Sequence, residues 1–184
     1  MTTIILIILV LVAALLAYAA TRPNSFRVRR STRIDAPPEK VFPLINDFHQ
    51  WTAWSPWERM DPNLRRNYSG AEAGKGAVYE WQGNNKVGQG RMEIVDSFDP
   101  RKVLIKLDFL KPFRAHNMAE FTLEPEGKST DVHWEMYGAS PFMMKVMGVF
   151  MSMDKMVGRD FERGLAAMKA SAEGNAPAQV PPPR

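Results

Sequence analysis

The spacing of hydrophobic positions changes along the chain, and each spacing predicts a different element. The first is an uninterrupted apolar run from Ile4 to Ala20, which as a helix would extend about 26 Å and span a thin bilayer. Residues 26–34 alternate between apolar and polar, which predicts a strand with one buried face. A short helical repeat begins after Pro37-Pro38, and Pro43 should kink or shorten that helix.

Six further strand-like runs follow, at about residues 64–69, 76–82, 87–98, 102–110, 115–124 and 130–137. Turn residues such as Gly83-Asn84-Asn85 and Glu126-Gly127 separate the later runs at hairpin spacing, which predicts an antiparallel meander. Within 102–110, the residues of one parity are all apolar: Val103, Ile105, Leu107 and Phe109. One face of the sheet is therefore predicted to be dry and to need a cover.

The predicted cover is helical and runs over residues 141–173, as one helix or two segments. Ser140-Pro141 is typical of a helix start and Gly174 of a helix stop. The apolar stripe of this region comprises Met143, Met147, Phe150, Val157, Phe161, Leu165 and Met168. Residues 175–184 carry too little apolar surface to order themselves and are predicted to be a disordered Pro-rich tail.

The N-terminal run, residues 1–22, has two interpretations. Five arginines lie between the end of its apolar stretch at Ala20 and Asp35, so the positive-inside rule favours a retained anchor with the domain in the cytoplasm. The competing interpretation is a cleaved signal of a secreted or periplasmic protein, because small residues such as Ala19 and Ala20 lie where cleavage could occur. Against it, the residues before the run carry no Lys or Arg.

Composition narrows the function classes. With 45% hydrophobic and 24% charged residues, the chain is expected to fold as one globular domain. There are no cysteines, which excludes disulfides, thiolate catalysis and Cys-ligated metals. The net charge of +4 is modest and its excess follows the apolar run, so a membrane explains it more simply than a nucleic acid does.

Two segments and the order of elements over residues 26–173 carry a family resemblance: the run RRSTRIDAPPEKVFPLINDFHQWTAWSPW and the ending MDKMVGRDFERGLAAMKASAE. In these features the chain resembles the START-like or SRPBCC superfamily, the polyketide cyclase/dehydrase and birch-pollen-allergen-like fold. The resemblance implies an α+β helix-grip domain at 23–174, in which a curved antiparallel sheet of about seven strands wraps a long C-terminal helix. It also implies a cavity for hydrophobic ligands, and no universal catalytic residue.

Aromatic and thioether side chains are the candidate walls of such a cavity. Trp51, Trp54 and Trp57 recur every third residue beside Pro56 and suit either a pocket edge or the end of the core. Strand parity and the helix stripe add further candidates, namely Tyr79, Trp81, Phe109, Trp134, Met147 and Phe150. A cavity built this way would bind apolar molecules with loose selectivity.

Polar candidates are few. Asp154 falls on the apolar stripe, where it could cap a second helical segment, pair with a strand Arg or Trp, or anchor a ligand. The histidines, at 49, 116 and 133, have no second ligand at metal-binding spacing, so we expect no metal and no cofactor. No set of residues forms a recognisable catalytic group, and we assign none.

Three functions fit these observations. The leading hypothesis is a membrane-tethered binder or carrier of a hydrophobic small molecule or lipid. The alternatives are a cyclase, dehydratase or hydrolase-like enzyme using the same cavity, and a ligand-free module that binds a protein partner. The pattern of residues does not set the oligomeric state.

Overall fold

The computed structural model describes residues 1–175. The predicted tail therefore lies outside the described residues, apart from Asn175. The helices are α1 (Thr2–Thr21), α2 (Pro38–Asn46), α3 (Trp51–Trp54), α4 (Phe142–Phe150) and α5 (Met153–Ala172), with short 3-10 turns at Phe48–Gln50 and Pro56–Arg59. Pro43 lies inside α2, whose buried side includes Val41 and Ile45.

Seven strands form one antiparallel sheet in the order β1-β7-β6-β5-β4-β3-β2. They are β1 (Ser25–Ile34), β2 (Arg65–Gly70), β3 (Ala77–Gln82), β4 (Gln89–Phe98), β5 (Lys102–Lys111), β6 (Ala115–Glu126) and β7 (Ser129–Ala139). Burial alternates residue by residue along β3, β6 and β7, as the sequence pattern predicted, whereas the edge strand β2 is largely exposed. Together with the long C-terminal helix, this sheet confirms the α+β helix-grip prediction.

The register places the connections at two ends of the sheet. Ser25 of β1 pairs with Ala139 of β7, and Gln89 of β4 pairs with both Gln82 and Lys111. The start of β1, the turns at 83–88 and 112–114, and the exit of β7 therefore share one end, here called the α1 end. The turns at 71–76, 99–101 and 127–128 share the other, here called the far end.

The predicted C-terminal helical region is two helices. The chain breaks at Met151-Ser152, where the Ser152 hydroxyl accepts a hydrogen bond from the Lys155 amide at 3.3 Å and caps α5. Helix α5 packs across the dry face and buries Phe161, Leu165 and Met168. Helix α4 buries no residue completely and lies outside the sheet, against α1.

Helix α1 is apolar along its whole length and is the only span in residues 1–175 long and apolar enough to cross a membrane. A signal sequence would have the same length and position. Its side chains are exposed except Leu15, which is partly buried, and Ala19, which is buried. Helix α1 therefore adds nothing to the domain core.

Candidate ligand-binding cavity

A cavity of about 290 Å³ lies between the sheet, α5 and the Trp-rich connector. It occupies the half of the interior nearer the α1 end, since its wall includes Lys86 and Val87 of the 83–88 turn and Phe109 near the end of β5. Its other wall residues are mostly apolar: Trp51, Ser55, Trp57, Glu58, Met60, Leu64, Tyr79, Trp81, Met92, Leu107, Ala119, Trp134, Met136, Met156, Val157, Asp160 and Phe161. The volume is at the lower end of the usual range for ligand pockets.

Six of the predicted wall residues line this cavity: Trp51, Trp57, Tyr79, Trp81, Phe109 and Trp134. The four on strands do so because they share the inward parity. The position of the Trp81 ring also depends on Gly90, its cross-strand partner. A Cβ at residue 90 would lie 2.3 Å from the Trp81 ring, so only glycine lets the indole lie flat there.

Trp134 is the centre of an aromatic stack. Its ring lies parallel to Phe161 of α5 at 3.9 Å between centroids and stacks on Phe121 at 4.9 Å. Trp54 and Trp57 contact it edge-on. These rings fix the distance between helix and sheet, and the cavity opens beside them.

Three predicted wall residues lie elsewhere. Trp54 is packed in the core, where its indole donates to the Leu44 carbonyl at 2.7 Å. Met147 and Phe150 are exposed on α4, with Phe150 74% exposed. The prediction that Met147 and Phe150 line the cavity is therefore corrected. The break at Met151-Ser152 turns α4 away from the sheet, although the apolar spacing of α4 continues that of α5.

Asp154 does not reach the cavity. Its carboxylate accepts from the Arg30 guanidinium at 2.9 and 3.1 Å, and Arg30 also donates to Glu162 at 2.7 Å. The hydrogen bonds from Arg30 lower the pKa of Asp154. Of the three roles considered for Asp154, pairing with a strand arginine is the one observed, and its side chain is more than half exposed.

Two polar residues of the cavity wall, Glu58 and Asp160, were not predicted from the sequence. Glu58 is buried, where it accepts from the Tyr79 hydroxyl at 2.5 Å and from Arg66 Nε at 2.5 Å. Burial, followed by the hydrogen bond to Glu58, raises the pKa of Tyr79 above its ordinary range, so the phenol stays protonated. The charge of Glu58 is balanced by Arg66, which makes this cluster a fixed polar spot in an apolar wall.

Asp160 is the second polar residue of the cavity wall that was not predicted. Burial raises the pKa of its carboxyl, and Arg163, 3.4 Å away, opposes the rise. The indole N–H of Trp134, another wall residue, is buried and has no hydrogen-bond partner among residues 1–175. Asp160 lies four residues after Met156 and one before Phe161. The helical spacing that singled out Asp154 could therefore also have predicted that Asp160 faces the interior.

The fold, with this partly open apolar cavity between sheet and helix, is that of a helix-grip protein. The chain belongs to the family described as polyketide cyclase / dehydrase and lipid transport, which matches residues 25–173. That description points to hydrophobic ligands. No curated protein matches the chain.

Solved structures agree on the fold. Protein CV1439 from Chromobacterium violaceum has a TM-score of 0.57 at 15% identity, covering 83% of this chain and 99% of its own. The Aha1 dimer from Colwellia psychrerythraea has a TM-score of 0.55 at 15% identity, covering 80% and 96%. DynU16, encoded in the dynemicin biosynthetic locus, has a TM-score of 0.58 at 15% identity, covering 85% of this chain and 49% of its own. At these identities the similarity shows the fold alone.

Proposed function

We propose that the protein is a membrane-tethered binding or carrier protein for a hydrophobic small molecule or lipid, held between the sheet and α5. The observation that carries this proposal is the 290 Å³ cavity with its aromatic and thioether walls. Burial of apolar surface supplies about 25 cal/mol per Å², so such walls favour apolar ligands of varied shape. The volume favours a small polycyclic molecule or one acyl chain over a whole two-chain lipid.

The tether is α1. Within residues 1–175, α1 contacts α4 while nearly all of its apolar side chains stay exposed, and a bilayer would cover them. The arginines that follow the span favour a cytoplasmic position for the domain. In this arrangement α1 crosses the membrane once and the cavity lies on the cytoplasmic side.

The polar spots suggest that the ligand is not a pure hydrocarbon. Ser55, Glu58, Lys86 and Asp160 lie in the otherwise apolar wall. Burial raises the pKa of the Asp160 carboxyl, which accepts a hydrogen bond when ionised and can also donate one when protonated. A carbonyl or hydroxyl group on an apolar body matches this wall.

Mass spectrometry of lipid extracts from full-length protein, purified from its own membrane, tests the proposal. Ala119 faces the cavity, so Ala119→Leu should fill part of it and lower the co-purifying ligand at least about tenfold, equivalent to 1.4 kcal/mol of binding. Ala73→Leu, on an exposed turn, is the matched control and should retain the ligand. Equal amounts in all three proteins would mean that the molecule surrounds α1 rather than occupying the cavity.

A second candidate function, catalysis of cyclisation or dehydration in the same cavity, is favoured by the Asp160 carboxyl. A carboxyl with a raised pKa in an apolar wall suits general acid or base chemistry. In that case the ligand recovered from Asp160→Asn protein would differ in structure, or by the mass of one water, from the wild-type ligand. An identical ligand in both proteins favours the carrier.

A further inference from the structure

The α1 end of the domain carries an unusual concentration of exposed apolar side chains. Phe113, at the tip of the β5–β6 turn, is 75% exposed, and Leu110 beside it is also exposed. Helix α4 adds Phe142, Met143, Met147, Phe150 and, just after its end, Met151. Exposed apolar groups of this number on one side of a domain indicate an interaction surface.

The charges of the four segments that form this surface have one sign. The segments 22–24, 83–88, 110–115 and 140–151 contain five basic residues and no Asp or Glu: Arg22, Lys86, Lys111, Arg114 and Lys145. Asp61, from the neighbouring loop before β2, is buried and accepts from the amides of Asn63 and Asn84. A mixture of apolar and basic side chains suits the headgroup region of an anionic bilayer.

Helix α4 continues the surface of α1. The two helices are in contact, and Ala19 of α1 is buried there. Asn24, which follows α1, holds α4 in place: its carbonyl accepts from the Ser140 amide at 2.8 Å and its side chain accepts from Lys145 Nζ at 2.6 Å. The α4 face is therefore fixed at the point where α1 would leave the bilayer.

Part of the cavity wall lies at the same end of the domain. It includes Met156, an exposed residue in the first turns of α5 directly after α4, and Lys86 and Val87 of the 83–88 turn. A ligand leaving between these residues would emerge at the α1 end, which also carries α4 and the 110–115 turn.

We propose that α4 and the 110–115 turn dock on the bilayer that holds α1, so that the cavity opens onto an anionic membrane surface and exchanges ligand with it directly. This inference rests on the membrane tether proposed above and goes beyond it by fixing the orientation of the domain. The apolar residues insert at the headgroup boundary, and Lys111, Arg114 and Lys86 contact anionic lipids.

Because the chain has no cysteine, single probes can be placed without background. The full-length variants Phe113→Cys and Phe150→Cys report on the docking surface, Leu11→Cys on α1, and Ala73→Cys and Lys128→Cys on the far end. Each is labelled with an environment-sensitive fluorophore and reconstituted in phosphatidylcholine vesicles with or without phosphatidylglycerol. Spin-labelled lipid and aqueous iodide then serve as quenchers.

We expect lipid to quench the probes at 11, 113 and 150 severalfold more than those at 73 and 128, with the effect at 113 falling when phosphatidylglycerol is omitted. If the probe at 11 is quenched but 113 and 150 behave like 128, the docking proposal is overturned and the tether stands. If the probe at residue 11 is not quenched by lipid, the membrane-tether proposal is overturned, and the docking proposal is overturned with it. Protection of 113 and 150 from both quenchers would overturn bilayer docking in favour of a protein interface.

Discussion

The two ends of the domain differ both inside and outside. At the α1 end the interior holds a cavity and the surface is apolar and basic. At the far end the interior side chains Ile94, Val103 and Leu123 are almost fully buried, and each of the segments 71–76, 99–101 and 126–128 carries one acidic and one basic residue. Under the proposals above, one end of the sheet stabilises the fold while the other serves a ligand and a membrane surface.

Strand β5 crosses both halves and gives the sharpest test of this comparison. Ile105 and Leu107 share the inward face, but Ile105 is fully buried and only Leu107 lines the cavity. Ile105→Ala should lower the free energy of unfolding by about 2–5 kcal/mol, because it leaves a new void in a packed region. Leu107→Ala should cost about 1–2 kcal/mol, since its cavity side already lacks contacts.

Urea unfolding of the full-length protein in detergent measures both losses. Lys128→Ala, on the exposed β6–β7 turn, is the control and should change stability by less than about 0.5 kcal/mol. Equal losses for the two buried residues would mean that the cavity closes around its wall in solution, and the contrast between the two ends would disappear.

The hydrogen bond between Glu58 and Tyr79 gives a test of how much the cavity wall contributes to stability. Tyr79→Phe removes the donor to Glu58 and should cost about 1–2 kcal/mol, because a buried carboxylate oxygen loses its partner. Tyr68→Phe is the matched control: Tyr68 stacks on Tyr79 at 5.2 Å but is less buried, and its loss should be smaller. Thermal unfolding followed by circular dichroism compares the two, and equal effects would contradict a specific role for the pair.

Asp160 should give the smallest effect and the clearest pH dependence. Because burial raises its pKa in the folded protein above the ordinary 3.8, the folded state favours the protonated carboxyl. Its contribution to stability is therefore present below pH 3.8 and is lost as pH rises through the folded pKa.

Asp160→Asn removes the titrating carboxyl and with it this loss of stability at rising pH. The variant should gain stability relative to wild type as pH rises from about 4 to 7, measured by urea unfolding at each pH. Asp131→Asn provides the opposite sign: Arg33 lowers the pKa of Asp131, so this variant should lose stability over the acid range in which Asp131 ionises. A gain for Asp160→Asn that does not change with pH would argue against titration of the carboxylate as its cause.

Alternation and helical spacing were sufficient for the sheet, the dry face and the stripe of α5, because each repeats over many residues. They could not separate α4 from α5, since Met147 and Phe161 obey one spacing although only Phe161 packs on the sheet. What separates them is the break at Met151-Ser152 and the presence of α1, a partner that lies far away in sequence.

The polar spots of the cavity were harder to predict for a different reason. Glu58 lies in a 3-10 turn, which has no repeat to reveal which side is buried, and its partners Arg66 and Tyr79 come from two separate strands. Asp154 and Asp160 both lie near the start of α5. Arg30 holds the first outside the cavity, and no pattern within the helix indicates that.

The link between α1 and β1 limits what the protein can deliver. Only Arg22, Pro23 and Asn24 separate the two elements, a reach of about 10 Å even when fully extended. With α1 in the bilayer as proposed, the domain cannot travel to a second membrane or release its cargo far from the first. Such a protein would work as a stationary exchanger, which loads from or unloads into its own leaflet and hands the ligand only to partners that come to it.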